Sequence, residues 1–178
     1  GSLYDWWYDK GMTTDNFVSY ESLPWTNMYV GIRKCNVFIA NMPNFTGYAT
    51  DVEKAGWLAQ AYCLRAYYYL QLFKRYGQVP LILTDIANTS YAGVKKATVG
   101  EIVKQILADC DEALSSVEDD QGFSWNILDN QSTIFTRATA YAIKSEAILY
   151  AVSPLFDDGT YTWADAEKVC GEALYQCL

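Results

Sequence analysis

Acidic side chains are the groups in this sequence that could most readily take part in catalysis. A glycosidase works with two carboxylates held roughly 5–10 Å apart. The acidic residues considered for such a pair are Asp85, Asp109, Asp111 and Glu146. None of the four lies in a motif that pairs it with another carboxylate. A helical-barrel glycosidase therefore remains only a less favoured alternative, and we predict that the chain is not an enzyme.

Several other kinds of site are excluded by residue type. Histidine is absent, which excludes Ser-His-Asp and Cys-His catalysis and every histidine-ligated metal site. The five cysteines show no Cys-x-x-Cys spacing. Four of them fall on apolar helical stripes, so we expect these four side chains to be buried, and a disulfide among the five is the alternative. The acidic stretch 118–120 with Asp129 does not match an EF-hand. We predict no cofactor and no metal site.

Charge and hydropathy narrow the class of partner. The net charge of −8 and the isoelectric point near 4.4 argue against nucleic acid and against anionic lipid surfaces, which attract basic patches. No apolar run approaches the roughly 18 residues of a membrane span. Hydrophobic residues make up 51% of the chain, enough to bury a sizeable core.

Apolar residues recur at helical spacing through most of the chain, and the pattern predicts five helices. After an irregular aromatic loop at 1–20, the helices are expected at about 22–42, 51–76, 98–116, 137–153 and 162–178. Pro24 is expected in the first turn of the first helix. Thr98 with Glu101 forms a capping box, and Thr162 is expected to cap the last helix.

The predicted helix ending at Gly77 is the one that the others must surround. Its aromatic residues occupy more than one side, and such rings belong between neighbouring helices. Arg65 lies among them and is expected to be a buried cation paired with an acidic residue or with helix carbonyls. We also expect Trp25, Trp57 and Trp163 in the core. The fold class is therefore all-α, with degenerate stacked helical hairpins of the tetratricopeptide kind.

One segment of this helix and its extension resembles a known family. The string LRAYYYLQLFKRYGQVPLIL, residues 64–83, resembles the signature of SusD/RagB proteins, nutrient- and glycan-binding lipoproteins of Gram-negative outer membranes. Four further segments are similar to the family in the same order: 25–36, 97–114, 137–150 and 163–173. The similarity extends over nearly the whole chain.

The resemblance implies a function. Family members capture starch or other oligosaccharides at the cell surface and deliver them to a partner SusC-like TonB-dependent outer-membrane transporter, without catalysis. They are surface-exposed lipoproteins much longer than this chain. Residues 1–178 are therefore expected to form a single helical domain fragment, the N-terminal tetratricopeptide-like part, without the family's lipid anchor and C-terminal part.

The resemblance also indicates a carbohydrate-binding site. In the family, aromatic residues in the loop before the first repeat helix contribute to binding, and here that loop contains Tyr4, Trp6, Trp7 and Tyr8. Indole and phenol rings stack on the apolar C–H face of a sugar. Packing is the alternative role for these rings. A tetratricopeptide scaffold that binds a peptide is the alternative function, but it predicts a charged groove, whereas these helices carry mostly aromatic and small residues.

Overall fold

The computed structural model describes residues 18–85, 93–115, 122–125 and 134–178, with side chains from residue 24 onward. Within these ranges the chain is all-α, as predicted, and contains no strand. The helices are α1 (Val18–Asn41), α2 (Asp51–Tyr76), α3 (Val99–Ser115), α4 (Arg137–Ala151) and α5 (Trp163–Cys177), with a 3₁₀ turn at Met42–Asn44. That residues 1–178 form a single domain stays a prediction.

Helix α2 is the centre of the fold. It packs on α1, α3 and α4, whereas α5 packs mainly on α4. Tyr69, Leu72 and Phe73 of α2 are completely buried, together with Ile102 and Ile106 of α3. Each such side chain stabilises the fold by roughly 1.5–3 kcal/mol through burial. The prediction of a central aromatic helix is confirmed.

Four helices begin with the same local arrangement. A threonine side chain accepts a hydrogen bond from the backbone N–H three residues later, and the side chain at that later position accepts one from the threonine N–H. The pairs are Thr50–Glu53, Thr98–Glu101, Thr136–Thr139 and Thr162–Asp165. Helix α2 ends at Gly77, whose φ of 65° suits glycine and whose amide donates to the Phe73 carbonyl.

The start of α1 differs from the prediction. The helix begins at Val18 rather than near residue 22, so Pro24 lies inside it and not in its first turn. Proline fixes φ at a helical value, and the helix continues on both sides of it at the loss of one backbone hydrogen bond. The prediction placed Pro24 in the first turn because that is the commonest position for proline in helices, whereas this helix begins earlier in the chain, at Val18.

Two of the tryptophans expected in the core are exposed. Trp25 is half-buried and packs against the core, but Trp57 and Trp163 both lie at the surface. Helix α5 explains part of the error, because only Ala166 and Ala173 of its apolar stripe are buried. A helix that packs mainly on one neighbour buries a narrower stripe than its apolar pattern suggests.

The cysteines are all free thiols, so the structure shows no disulfide. Cys35, Cys63 and Cys110 are buried, Cys170 is half-buried and Cys177 is exposed. Burial raises the pKa of Cys35 to about 11 and that of Cys63 to about 12. The buried cysteines therefore remain protonated at neutral pH and act as small packing residues. Three thiols are buried, one fewer than predicted.

Candidate functional site

The residues predicted to bind carbohydrate lie outside the described ranges. Tyr4, Trp6, Trp7 and Tyr8 all precede residue 18, and the acidic stretch 118–120 with Asp129 falls in another undescribed part. Their roles stay predictions. The described residues show which other surfaces could bind a ligand.

A groove of about 470 Å³ runs between α1 and the extended segment that follows α2. Its α1 side is formed by Trp25, Thr26, Tyr29, Val30, Ile32 and Arg33, and its other side by Pro80, Ile82, Thr84 and Val94. The lining is therefore mainly apolar, with hydroxyl groups and one guanidinium among it. Sequence reasoning missed this groove. The available signal was the recurrence of Trp25, Tyr29 and Arg33 every four residues on one stripe of α1.

Side chains from two helices hold the extended wall of the groove in place. The Tyr69 hydroxyl donates to the Ile82 carbonyl at 2.9 Å and accepts from the Ile82 amide at 2.8 Å. The Asn36 amide also donates to the Ile82 carbonyl, at 2.8 Å, and the Tyr29 hydroxyl donates to the Pro80 carbonyl at 2.8 Å. Burial raises the pKa of Tyr69 to about 12, so its hydroxyl stays protonated at neutral pH.

Beneath this wall lies a buried ion pair between α2 and α3. Nε and Nη2 of Arg65 donate to the two carboxylate oxygens of Asp109 at 2.8 and 2.6 Å. The remaining Nη1 donates to the Asn36 side-chain oxygen at 2.8 Å, and Gln105 donates to Asp109 at 2.8 Å. The predicted acidic partner of Arg65 is thus confirmed. Through Asn36 the pair is connected to the backbone of the groove wall.

The four carboxylates considered for catalysis each form an ion pair with a cation. The pairs are Asp85–Arg33, Asp109–Arg65, Asp111–Lys144 and Glu146–Lys74. Among the described residues, no group of three His, Cys, Asp or Glu side chains is placed to hold a metal ion. None of the helices in this part of the chain is both long and apolar enough to cross a bilayer.

Two further pairs of aromatic side chains lie outside the groove. Phe45 and Trp57 form an exposed edge-to-face pair with ring centroids 6.2 Å apart. Trp125 instead stacks on Tyr141, with centroids 5.7 Å apart and planes at 6°, and the Arg137 guanidinium lies 5.9 Å from the Trp125 ring centre. The Trp125 ring is therefore engaged in packing.

Comparison with known proteins gives a consistent result. A SusD-like family model, described as starch-binding and associating with the outer membrane, matches residues 1–149. SusD-like protein P38 of Formosa agariphila is 31% identical over 110 residues, which cover 60% of this chain and 21% of that protein.

Solved structures resemble the fold over most of the chain. A SusD-like protein from Bacteroides fragilis matches with a TM-score of 0.68 and 25% identity, over 86% of this chain and 26% of its own. A laminarin-binding SusD-like protein matches with a TM-score of 0.68 and 22% identity, over 87% and 29%. The chain thus spans between a fifth and a third of the length of these relatives. Because the family model matches well over half of its residues, the chain belongs to the SusD-like family.

Proposed function

We propose that the protein captures oligosaccharides at the cell surface and delivers them to a SusC-like TonB-dependent outer-membrane transporter, without catalysis. The match of residues 1–149 to a starch-binding, outer-membrane-associated family carries the proposal. We further propose that the protein is a surface-exposed lipoprotein of the outer membrane. Oligosaccharide and transporter are its partners.

The absence of catalysis is supported by the arrangement of the carboxylates. A glycosidase needs one carboxyl group that donates a proton and a second that acts as base or nucleophile. Asp109, Asp111 and Glu146 each bind a different cation on a neighbouring helix, so they act as ties between helices. An assay for new reducing ends after incubation with oligosaccharides should therefore remain negative, and steady release would contradict this part of the proposal.

We place carbohydrate binding at Tyr4, Trp6, Trp7 and Tyr8, on the basis of their aromatic character and their position ahead of α1. Calorimetric titration of the protein against a panel that includes malto- and laminari-oligosaccharides tests this. Saturable binding is expected for the wild type and should be abolished in the Trp6→Ala/Trp7→Ala variant, without loss of thermal stability.

The matched control removes two tryptophans that are known to be exposed. Trp57→Ala/Trp163→Ala makes the same chemical change and should bind as the wild type does. Undiminished binding by the Trp6→Ala/Trp7→Ala variant would place the site elsewhere, and no binding to any glycan would overturn the proposed capture of oligosaccharide. Delivery is tested by co-purification with an outer-membrane transporter from native membranes. Failure to co-purify would contradict that step.

A further inference from the structure

The groove between α1 and the extended segment has the size and lining of a small-molecule site. Its volume of about 470 Å³ falls within the range of about 300–1,000 Å³ that such sites occupy. Val30, Pro80 and Ile82 give it apolar surface, while Thr26 and Arg33 add polar groups on the α1 side. A suitable ligand must therefore present an apolar surface and hydrogen-bonding groups together.

The polar end of the groove favours a neutral ligand rich in hydroxyl groups. Nε of Arg33 donates to Asp85 at 2.9 Å, so the charge of the guanidinium is balanced. Within the described residues this contact uses Nε alone, and the guanidinium is about half exposed. Its two Nη groups can donate in parallel to adjacent oxygens. Adjacent hydroxyl groups of a pyranose ring match that geometry, whereas an anion would have to compete with Asp85.

The apolar part of the groove suits the other surface of the same ligand. The Trp25 and Tyr29 rings pack 5.0 Å apart at 53°, and both line the groove beside Val30. The C–H face of a pyranose can contact such a surface while its hydroxyl edge contacts Arg33 and Thr84. Both requirements of a hexose, one apolar face and one polar edge, are met within one groove.

The groove is also held in shape before any ligand arrives. Asn36 donates to the Ile82 carbonyl, and Arg65 in turn donates to the Asn36 side-chain oxygen. Tyr29, whose ring lines the groove, is fixed by its hydrogen bond to the Pro80 carbonyl. A site that is ordered in advance loses less conformational entropy on binding.

We infer that this groove is a second carbohydrate subsite, which binds one neutral hexose unit of the captured oligosaccharide. The inference rests on the proposed function, because it assumes that the protein binds glycan. It adds a binding surface on the helical body that is separate from Tyr4, Trp6, Trp7 and Tyr8. Arg33, Thr26 and Thr84 bind the hydroxyl groups, and the apolar lining contacts the ring.

Two substitutions test the subsite by calorimetry with whichever neutral hexasaccharide, maltohexaose or laminarihexaose, the wild type binds. Val30→Trp fills the groove from a valine that is 49% exposed, and Arg33→Met removes the donors but keeps the length of the side chain. Each should raise the dissociation constant at least about tenfold, the effect of losing one charge-assisted hydrogen bond or a comparable contact.

Each variant has a matched control outside the groove. Val52→Trp makes the same change at a valine on α2 that is 42% exposed, and Arg75→Met does so at an exposed arginine of α2 that contacts Gln71. Both controls should bind as the wild type does, and all four variants should keep its melting temperature.

The outcomes separate this inference from the proposed function. If the wild type binds the hexasaccharide and Val30→Trp and Arg33→Met bind it equally well, the subsite is overturned while glycan capture stands. If the wild type binds no oligosaccharide, both are overturned. Loss of affinity in the two groove variants but not in their controls supports the subsite.

Discussion

Among the residues that the structure describes, two cations are buried, Arg65 on α2 and Lys144 on α4, and their partners differ. The Arg65 side chain is 7% exposed and that of its partner Asp109 is 2% exposed, so the whole pair lies in the interior. The Lys144 side chain is also 7% exposed, but its partners Asp111 and Glu172 are 60% and 47% exposed. One cation is neutralised inside the protein and the other at its surface.

This difference predicts different roles. In the first pair both charges are removed from water, and the desolvation cost is offset only while both partners and their hydrogen bonds are present. In the second pair, the Asp111 and Glu172 carboxylates are largely exposed to water, so their charges stay solvated even without the lysine. Arg65 should therefore be essential to stability, whereas Lys144 contributes a contact between α3, α4 and α5 that the fold can lose.

The largest effect is expected from Arg65→Met. The change leaves Asp109 as an uncompensated buried charge, and the free energy of unfolding should fall by about 3–5 kcal/mol. Urea denaturation followed by circular dichroism measures it. The double variant Arg65→Met/Asp109→Leu should recover most of the loss, because no buried charge remains. A double variant as unstable as the single one would show that the charge is not the cause.

Asn36→Leu should have an intermediate effect. It removes the donor to the Ile82 carbonyl and the acceptor for Arg65 while keeping the side chain similar in size. The Ile82 carbonyl keeps the Tyr69 hydroxyl as a donor, but Nη1 of the buried Arg65 loses its acceptor, which should cost about 1–3 kcal/mol in the same denaturation experiment. The control is Asn41→Leu on the same helix, where the exposed side chain donates to the Val37 carbonyl one turn earlier. This substitution should change the free energy of unfolding by about 0.5 kcal/mol or less. Equal losses in both variants would contradict a special role for Asn36.

Lys144→Met should be milder than either. The methionine keeps the apolar contacts of the lysine chain, and Asp111 and Glu172 remain hydrated, so we expect a loss of about 1 kcal/mol or less. A loss as large as that of Arg65→Met would remove the distinction between the two cations.

The smallest effect is a dependence on pH. Burial lowers the pKa of Lys144, but the hydrogen bond and charge of Asp111, with Glu172 and Tyr141, outweigh it and raise the pKa overall. Its stabilising contribution is therefore complete below the pKa of the unfolded state, about 10.5, and is lost as the pH rises through the folded-state pKa.

Urea denaturation of the wild type and of Lys144→Met over this alkaline range tests this. The two free energies of unfolding should approach each other as the pH rises. Because arginine stays protonated, the difference between wild type and Arg65→Met should not converge in the same way. A constant difference for Lys144→Met would show that its ammonium group does not contribute.

Local signals in the sequence predicted local structure well. The capping pair Thr98–Glu101 and the cap at Thr162 were readable because each is formed within four residues. The acidic partner of Arg65 could be expected in kind, since a buried cation requires one, but its identity as Asp109 depends on a contact 44 residues away. Such contacts follow from packing that spacing along the chain does not encode.

Surface position was predicted less well. Trp57 and Trp163 have the size and spacing of core residues, yet exposure depends on whether a neighbouring helix covers that face. The groove was missed for the same reason: Trp25 is expected in the core from its spacing, and only the three-dimensional path of the segment 79–84 shows that Trp25 and Tyr29 line a cavity. The predicted site at Tyr4, Trp6, Trp7 and Tyr8 stays a prediction.

The attachment of the extended segment also bears on aggregation. An extended chain normally exposes N–H and C=O groups to which a strand of another molecule can add. Here the Tyr69 hydroxyl occupies both polar groups of Ile82, Tyr29 occupies the carbonyl of Pro80, and proline itself has no N–H to offer. At Pro80 and Ile82, side chains thus take the place of a neighbouring strand, so the polar backbone groups of these two residues are not available for intermolecular β-pairing.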